Sequence, residues 1–186
     1  MTLVQYPQER HGAELEKLIL ALEDTAWPGS SESGRFPSEP DTYAASFVWL
    51  ENDMAVCHAG IRKCVFTHRG REYLAYGLSE VVTHPRYQNQ GLASKAVERA
   101  AQFIKDQRPD VSIFTCEEKR VPFYTRGGWE AVPGACLVGG TKERPFRSDE
   151  LGLVTMMMFL SDEGRRRRAE LEHGDIFLEL GENQLW

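Results

Sequence analysis

The chain has 186 residues, 41% of them hydrophobic and 27% charged, which suits one globular domain with a sizeable core. A formal net charge of -6 argues against a nucleic-acid binder, which normally carries a basic face, and agrees with a cationic small substrate. No stretch approaches the roughly 20 consecutive apolar residues of a membrane span.

The start, Met1-Thr2-Leu3-Val4-Gln5-Tyr6-Pro7, lacks the basic end and apolar core of a secretion signal. The four cysteines (Cys57, Cys64, Cys116 and Cys136) show no Cys-x-x-Cys spacing and no nearby histidine pair, so no metal site is expected. Their apolar neighbours suggest reduced, strand-borne thiols. The expected location is the cytoplasm.

In chain order, Leu15, Leu18, Ile19 and Leu22 recur at helical spacing and predict an amphipathic helix over 13–22. The turn-rich segment from Trp27 to Pro40 is too long for a plain connector, and long loops often carry binding. Strands are expected over 46–51 and 54–66 around an Asn52-Asp53 turn. A third, over 71–83, follows a turn at His68-Arg69-Gly70.

Leu92, Ala93, Ala96, Val97, Ala100, Ala101 and Ile104 then form one apolar stripe along a helix over 91–106. Arg108-Pro109-Asp110 stops it, and Val111–Cys116 reads as a short buried strand, so strand, helix and strand make a parallel crossover. A short helix over 121–126 ends at Gly127-Gly128, and strands over 129–138 and 153–160 close the sheet. The run Arg165-Arg166-Arg167-Arg168, flanked by Asp162, Glu163, Glu170 and Glu172, reads as a solvated face. With no repeat or low-complexity linker, the expectation is a single α/β (α+β) domain, its meander first and its crossover second.

The informative stretch is Val81-Val82-Thr83-His84-Pro85-Arg86-Tyr87-Gln88-Asn89-Gln90-Gly91-Leu92-Ala93-Ser94. A β-branched strand ends near a proline, and a polar turn runs into a helix. The first amides of a helix are unpaired and lie at the positive end of its dipole, so a pyrophosphate fits there. Gly91 and Ala93 lack bulk, so backbone can approach a phosphate, and Ser94 adds a hydroxyl. A plain strand-to-helix turn fits the same residues, and both readings stay open at this point.

Gln88-x-x-Gly91-x-Ala93 resembles the acyl-CoA signature of the GNAT N-acetyltransferases, (Arg/Gln)-x-x-Gly-x-(Gly/Ala). Downstream, Phe123-Tyr124-Thr125-Arg126-Gly127-Gly128-Trp129 is similar to the family's Tyr-x-x-x-Gly-(Phe/Trp) segment. The resemblance, over roughly 76–132, implies a mixed, splayed sheet flanked by helices, with acetyl-CoA as co-substrate and no metal. The pantetheine arm would pair with backbone of Val81, Val82 and Thr83. The pyrophosphate would rest on Gln88, Asn89, Gln90, Gly91, Leu92, Ala93 and Ser94. The acetyl group would pass to an amine by direct attack in a ternary complex.

Acetyl transfer to an amine needs a base for the ammonium and an acid for the departing thiolate. The resemblance implies that Tyr124 is the acid. For the base, many relatives carry a glutamate at the position aligned with Ser79. Glu80 lies one residue on, and in a plain strand its carboxylate would fall on the opposite face from Ser79, Val81 and Thr83. The family carries a bulge in this strand, which keeps Glu80 as candidate base. His84 is a weaker candidate, and a surface or salt-bridge role is the plain alternative for Glu80.

Three features outside the core, Asp41 before the first meander strand, Arg147-Ser148-Asp149-Glu150-Leu151-Gly152 before the last core strand, and Trp186, resemble those of the aminoglycoside 2'-N-acetyltransferases within the family. The resemblance implies acceptor contacts at Asp41, before the first meander strand, at Asp149, in an acidic segment before the last core strand, and at Trp186. A tail over about 161–186 would complete the acceptor side. Ser79 and Gln184 depart from that pattern. The expected acceptor is therefore a primary amine of a small cation, with an aminoglycoside as the leading specific candidate. An acyl-CoA sensor without turnover and a protein or peptide N-acetyltransferase are the alternatives, and a homodimer stays open.

Overall fold

In the computed structural model, which describes residues 1–7, 12–182 and 184–186 save the side chains of Ser31 and Ser33, two units interleave along the chain. One comprises residues 1–62 and 78–100, the other residues 63–77 and 101–186. No linker marks the division. The seams fall inside two strands and one helix, which explains why composition gave no sign of them.

The first unit begins with a short strand, β1 (Thr2–Tyr6), and helix α1 (Gly12–Glu23). On α1, Leu15, Ile19 and Leu22 sit at helical spacing and are buried at 2% exposure or less. Strands β2 (Tyr43–Glu51), β3 (Met54–His68) and β4 (Arg71–Thr83) follow. The turn at Asn52 and Asp53 has φ of 48° and 58°, and that at Arg69 and Gly70 has 48° and 76°. Paired positive φ values give the hairpin turn whose twist matches that of the strands.

Within the first unit the strands run in the order β1-β2-β3-β4, and β1 pairs antiparallel with β2 from Thr2↔Leu50 to Tyr6↔Ser46. Leu15, Ile19, Leu20, Leu22, Phe36, Tyr43 and Val48 share one apolar cluster. Phe36 brings the long loop into that core, its ring edge-on to Tyr6, Tyr43 and His58 at 5.1–5.8 Å. Helix α2 (Leu92–Gln107) buries Leu92, Ala96, Val97 and Ala100 along one stripe.

In the second unit β4 pairs parallel with β5 (Val111–Glu117) through Ala75↔Val111 and Tyr76↔Ser112. Asp110 sets this start: its carboxylate accepts from the Leu74 N–H at 2.9 Å and from the Ser161 hydroxyl at 2.6 Å. The short helix α3 (Val121–Arg126) stops at Gly127, and Gly128 has φ 105°. Next come β6 (Glu130–Ala131), β7 (Ala135–Gly140), β8 (Pro145–Arg147) and β9 (Leu153–Phe159). Last are α4 (Asp162–Arg166), α5 (Arg168–Leu171) and β10 (Gly174–Phe177). β5, β9 and β6 pair antiparallel in that order, and β10-β7-β8 form a separate three-stranded sheet.

The architecture is the expected α/β one, a mixed sheet flanked by helices with a meander before a crossover. One expected element is corrected. The strand over 129–138 is two strands in two different sheets, because Pro133-Gly134 breaks it. β1, β8, β10 and the short helices α4 and α5 were not foreseen. The arginine run is laced to its acidic neighbours, as in Arg166–Glu163 at 2.7 Å, Arg167–Glu170 at 2.7 Å and Arg168–Glu172 at 2.6 Å.

Candidate active site

The strand carrying Glu80 is not plain. Glu80 has φ 53°, a left-handed backbone that breaks the alternation of β4. Its Oε1 accepts from Arg62 Nη2 at 2.7 Å, while its Oε2 is buried and has no partner. Arg62 is 3% exposed and Glu80 23%. Arg62 also donates to the hydroxyls of Thr42 and Ser38 at 3.4 Å, which flank Asp41. The turn bearing Asp41 is thus fastened on both sides to the arginine that holds Glu80, and Asp41 itself is exposed.

Behind Glu80 lies a polar line that the sequence reading missed. The Tyr43 hydroxyl is 3.2 Å from His58 Nε2, and Glu23 Oε1 is 3.3 Å from His58 Nδ1. His58 is fully buried and Glu23 nearly so. Burial, with Glu80 next in weight, pushes the Tyr43 phenol well above its ordinary range. One signal was present: His58, Gly60 and Arg62 fall at every second position, among the apolar residues Ala55, Val56, Cys57, Ala59 and Ile61.

The predicted phosphate loop follows β4. His84 donates its backbone N–H to Val56 and accepts from the Arg86 N–H through Nδ1 at 3.3 Å, which caps a tight turn over Pro85–Tyr87. Gln88 reaches back to the Thr83 carbonyl at 3.3 Å. Asn89 and Gly91 have φ of 61° and 76°. The first helical bond of α2 runs from the Lys95 N–H to the Gly91 carbonyl at 3.2 Å, so the amides of Leu92, Ala93 and Ser94 have no partner within the helix.

Gln88, Asn89, Gln90 and Gly91 are exposed, and nothing lies within 4 Å of where a Cβ on Gly91 would stand. Exposed Arg86 and Lys95 flank this opening, and neither makes an ion pair among the described residues. The Trp49 indole N–H donates to the Leu92 carbonyl at 3.2 Å and fixes the start of the helix. Val82 is buried, and the Thr83 hydroxyl donates to Cys57 Sγ at 3.2 Å, which seats the strand end ahead of the loop, with Val81 half-buried beside them.

In the second unit, Tyr124 stands on α3 with its ring edge-on to Phe114 and Phe123 at 4.8 and 4.9 Å. Burial, with the Cys116 thiol adding to it, pushes its phenol up to about 12. Trp129 anchors this corner. It is 1% exposed and its indole N–H donates to the Ser112 hydroxyl at 2.9 Å.

Trp186 is buried over Gly77, where a Cβ would come within 2.5 Å of its ring. Its carbonyl accepts from the Thr115 N–H at 2.8 Å, and its indole N–H is buried without a partner. Asp149 lines a groove of about 350 Å³ with Arg147 and Asp175. Arg147 grips both Asp149 oxygens at 3.0 Å and holds that carboxyl below its usual range. Among the described residues no group of three or more His, Cys, Asp or Glu is placed to hold a metal, and no helix is long and apolar enough to cross a membrane.

The family model for the acetyltransferase (GNAT) domain matches residues 13–132, and this chain belongs to that family. The match includes the loop, Glu80 and Tyr124 and stops short of Asp149 and Trp186. No match is found among curated protein sequences.

Among solved structures, the chain is similar to a GNAT family acetyltransferase from Brucella melitensis in complex with acetyl-CoA. The TM-score is 0.60 at 14% identity, covering 96% of this chain and 97% of that one. It is also similar to an aminoglycoside 6'-N-acetyltransferase complexed with coenzyme A, at TM-score 0.56 and 12% identity, covering 87% and 98%. A conserved protein from Enterococcus faecalis V583 matches at TM-score 0.57 and 20% identity over 70% of this chain, which spans only 33% of that protein. At these identities the likeness is one of fold.

Proposed function

We propose that the chain transfers the acetyl group of acetyl-CoA to a primary amine of a small cationic acceptor. The observation that carries this reading is the opening of α2. Its leading amides are free within the helix, exposed Gly91 leaves room above them, and Arg86 and Lys95 stand beside them with no ion pair among the described residues. That arrangement suits a pyrophosphate. It agrees with a family whose structural neighbours include complexes with acetyl-CoA and coenzyme A.

In this reading the amides from Gln88 to Ser94 take the pyrophosphate, and the backbone of Val81, Val82 and Thr83 takes the pantetheine arm. Glu80 is the base. Its φ of 53° supplies the departure from plain alternation that the role requires, and its free Oε2 has capacity for a proton. Tyr124 is the acid. A phenol pushed up to about 12 keeps its proton through the neutral range and can deliver it to a developing thiolate.

Asp41, Asp149 and Trp186 are proposed to face the acceptor. Asp149 and Asp175 share the single Arg147, which leaves that groove one negative charge in excess for a cation. An aminoglycoside is the specific candidate, since its several ammonium groups need such carboxylates.

The test is free CoA release from acetyl-CoA against a panel of aminoglycosides, polyamines and peptides, with CoA affinity measured alongside. Release with an amine in the panel supports transfer, and release with peptides alone moves the reading to a peptide N-acetyltransferase. CoA binding with no release above background makes the protein a sensor. Tyr124→Phe is expected to lower turnover at least tenfold while CoA affinity changes less than about twofold. Loss of CoA binding in that variant would remove Tyr124 from the acid role.

A further inference from the structure

The opening of α2 carries the wrong charge for a helix start. Its first turn has no acidic residue, and exposed Lys95 closes that turn near the positive end of the helix dipole. Side chains on a helix lean toward its N-terminus, so the Lys95 stem runs back over the turn that begins at Gly91. Lys95 makes no ion pair among the described residues. Its ammonium instead lies 5.9 Å from the centre of the Trp49 ring. A lysine there costs the helix stability and gains only a weak contact with an aromatic face. The same charge is well placed for an anion at the free amides of Leu92, Ala93 and Ser94.

Trp49 is itself held on three sides. It pairs with Leu3 of β1 and with Cys57 of β3, and the register of β2 on β3 shifts directly after it. Its indole N–H donates to the Leu92 carbonyl at 3.2 Å, which fixes the ring beside the helix start. Two residues on, Glu51 accepts the hydrogen bond of the Tyr87 phenol. The end of β2 thus grips the loop on both sides of Gln88–Gly91, at Tyr87 and at Leu92. The carboxylates carried near this corner are Glu51 and, one turn further along α2, Glu98. Neither forms an ion pair with Arg86 or Lys95 among the described residues.

We infer that Trp49 is a positioning residue for the phosphate site: its ring face holds the Lys95 ammonium beside the free amides of α2, so that lysine and amides meet one diphosphate together. This rests on the reading of the loop as the pyrophosphate site of CoA. A lysine stem has much rotamer freedom to lose when its ammonium is captured. Parking the ammonium over a fixed ring removes part of that cost before the ligand arrives. An ammonium has three N–H donors, so it keeps its face toward the ring while donating to a phosphate oxygen. The site is therefore assembled from two distant segments, β2 and the start of α2.

The experiment is a double-mutant cycle on ligand affinity, measured by calorimetry with CoA and separately with inorganic pyrophosphate. Lys95→Gln is expected to weaken CoA about tenfold, the loss of one charge-assisted contact. Trp49→Leu is expected to weaken it about fourfold when Lys95 is present and less than about 1.5-fold in the Lys95→Gln background. The fourfold deficit should shrink with added salt, as a lysine–phosphate contact does.

Trp49→Phe separates the ring from the indole N–H, since it keeps an aromatic face and loses the bond to Leu92. It is expected to stay within about twofold of wild type. A Phe variant as weak as the Leu variant, or a Trp49→Leu loss that is the same in both backgrounds, overturns the proposal by assigning Trp49 a purely structural role. Wild-type binding of pyrophosphate without CoA removes the CoA reading alone, and the same cycle run on pyrophosphate then decides the role of Trp49. Binding of neither ligand overturns both.

Discussion

Two arginine–carboxylate systems in this chain have the same bond length and different meanings. Arg62 meets Glu80 at 2.7 Å, and Arg166 meets Glu163 at 2.7 Å. The first pair is 3% and 23% exposed, the second 72% and 34%. Coulomb attraction grows as water is excluded, and so does the cost of leaving a charge alone. The buried pair fixes one geometry and carries an unpartnered oxygen. The exposed arginines share their carboxylates, several alternatives lie within reach, and water screens all of them. Charge density along the sequence points to the exposed run, yet the isolated Arg62 is where charge is constrained.

The comparison is broken most severely at Arg62. Arg62→Met keeps most of the stem's packing and removes the cation, which leaves Glu80 with both oxygens short of partners and frees Ser38 and Thr42. The expected loss is about 3 kcal/mol of unfolding free energy, below that of a fully dry pair because Glu80 keeps some solvent. Urea denaturation at neutral pH measures it. A change below about 1 kcal/mol would put the buried pair in the same class as the exposed ones.

The same contrast explains what was legible beforehand. Local patterns were read well. Helix α1 followed from Leu15, Ile19 and Leu22, α2 from its stripe, and both hairpins from Asn52-Asp53 and Arg69-Gly70, since each signal lies within a few residues. The polar turn from Gln88 into the start of α2 was legible as local structure for the same reason.

What escaped depends on distant pairing. β1 is five residues whose place is set by β2, about 40 positions later. The break at Pro133-Gly134 was visible as a turn signal, but that its two sides enter different sheets was not. Glu23, His58 and Arg62 each look ordinary alone, as a helix end, a core histidine and a strand charge. Only the register of β2 on β3 and the backbone of Glu80 assemble them.

A milder effect is expected on the exposed side. Arg166→Ala removes a 2.7 Å bond to Glu163, but Arg167 also contacts that carboxylate at 3.3 Å and Arg71 at 3.7 Å. The remaining partners absorb the loss, and the expected change is within about 0.5 kcal/mol by the same urea measurement. Added salt should shrink even that difference, while it should leave the Arg62→Met deficit nearly intact. A large Arg166 effect would mean that the lattice acts as one unit.

Asp149 gives the smallest expected effect and the one most sensitive to pH. It is exposed, and Arg147 holds its carboxyl below the usual value of 3.8. Since the folded value is the lower one, Asp149 contributes stability above the unfolded value. That contribution disappears as pH falls through the folded one. Asp149→Asn should therefore lower the thermal midpoint slightly at neutral pH, and the difference from wild type should start to shrink as pH falls past 3.8 and vanish once pH is below the lower folded value. Asp175 still pairs with Arg147 in the variant, which keeps the effect small. A difference that persists unchanged into acid would mean that the effect does not come from the carboxylate charge held by Arg147, since Asn keeps the oxygen that accepts the Glu150 N–H at 2.9 Å.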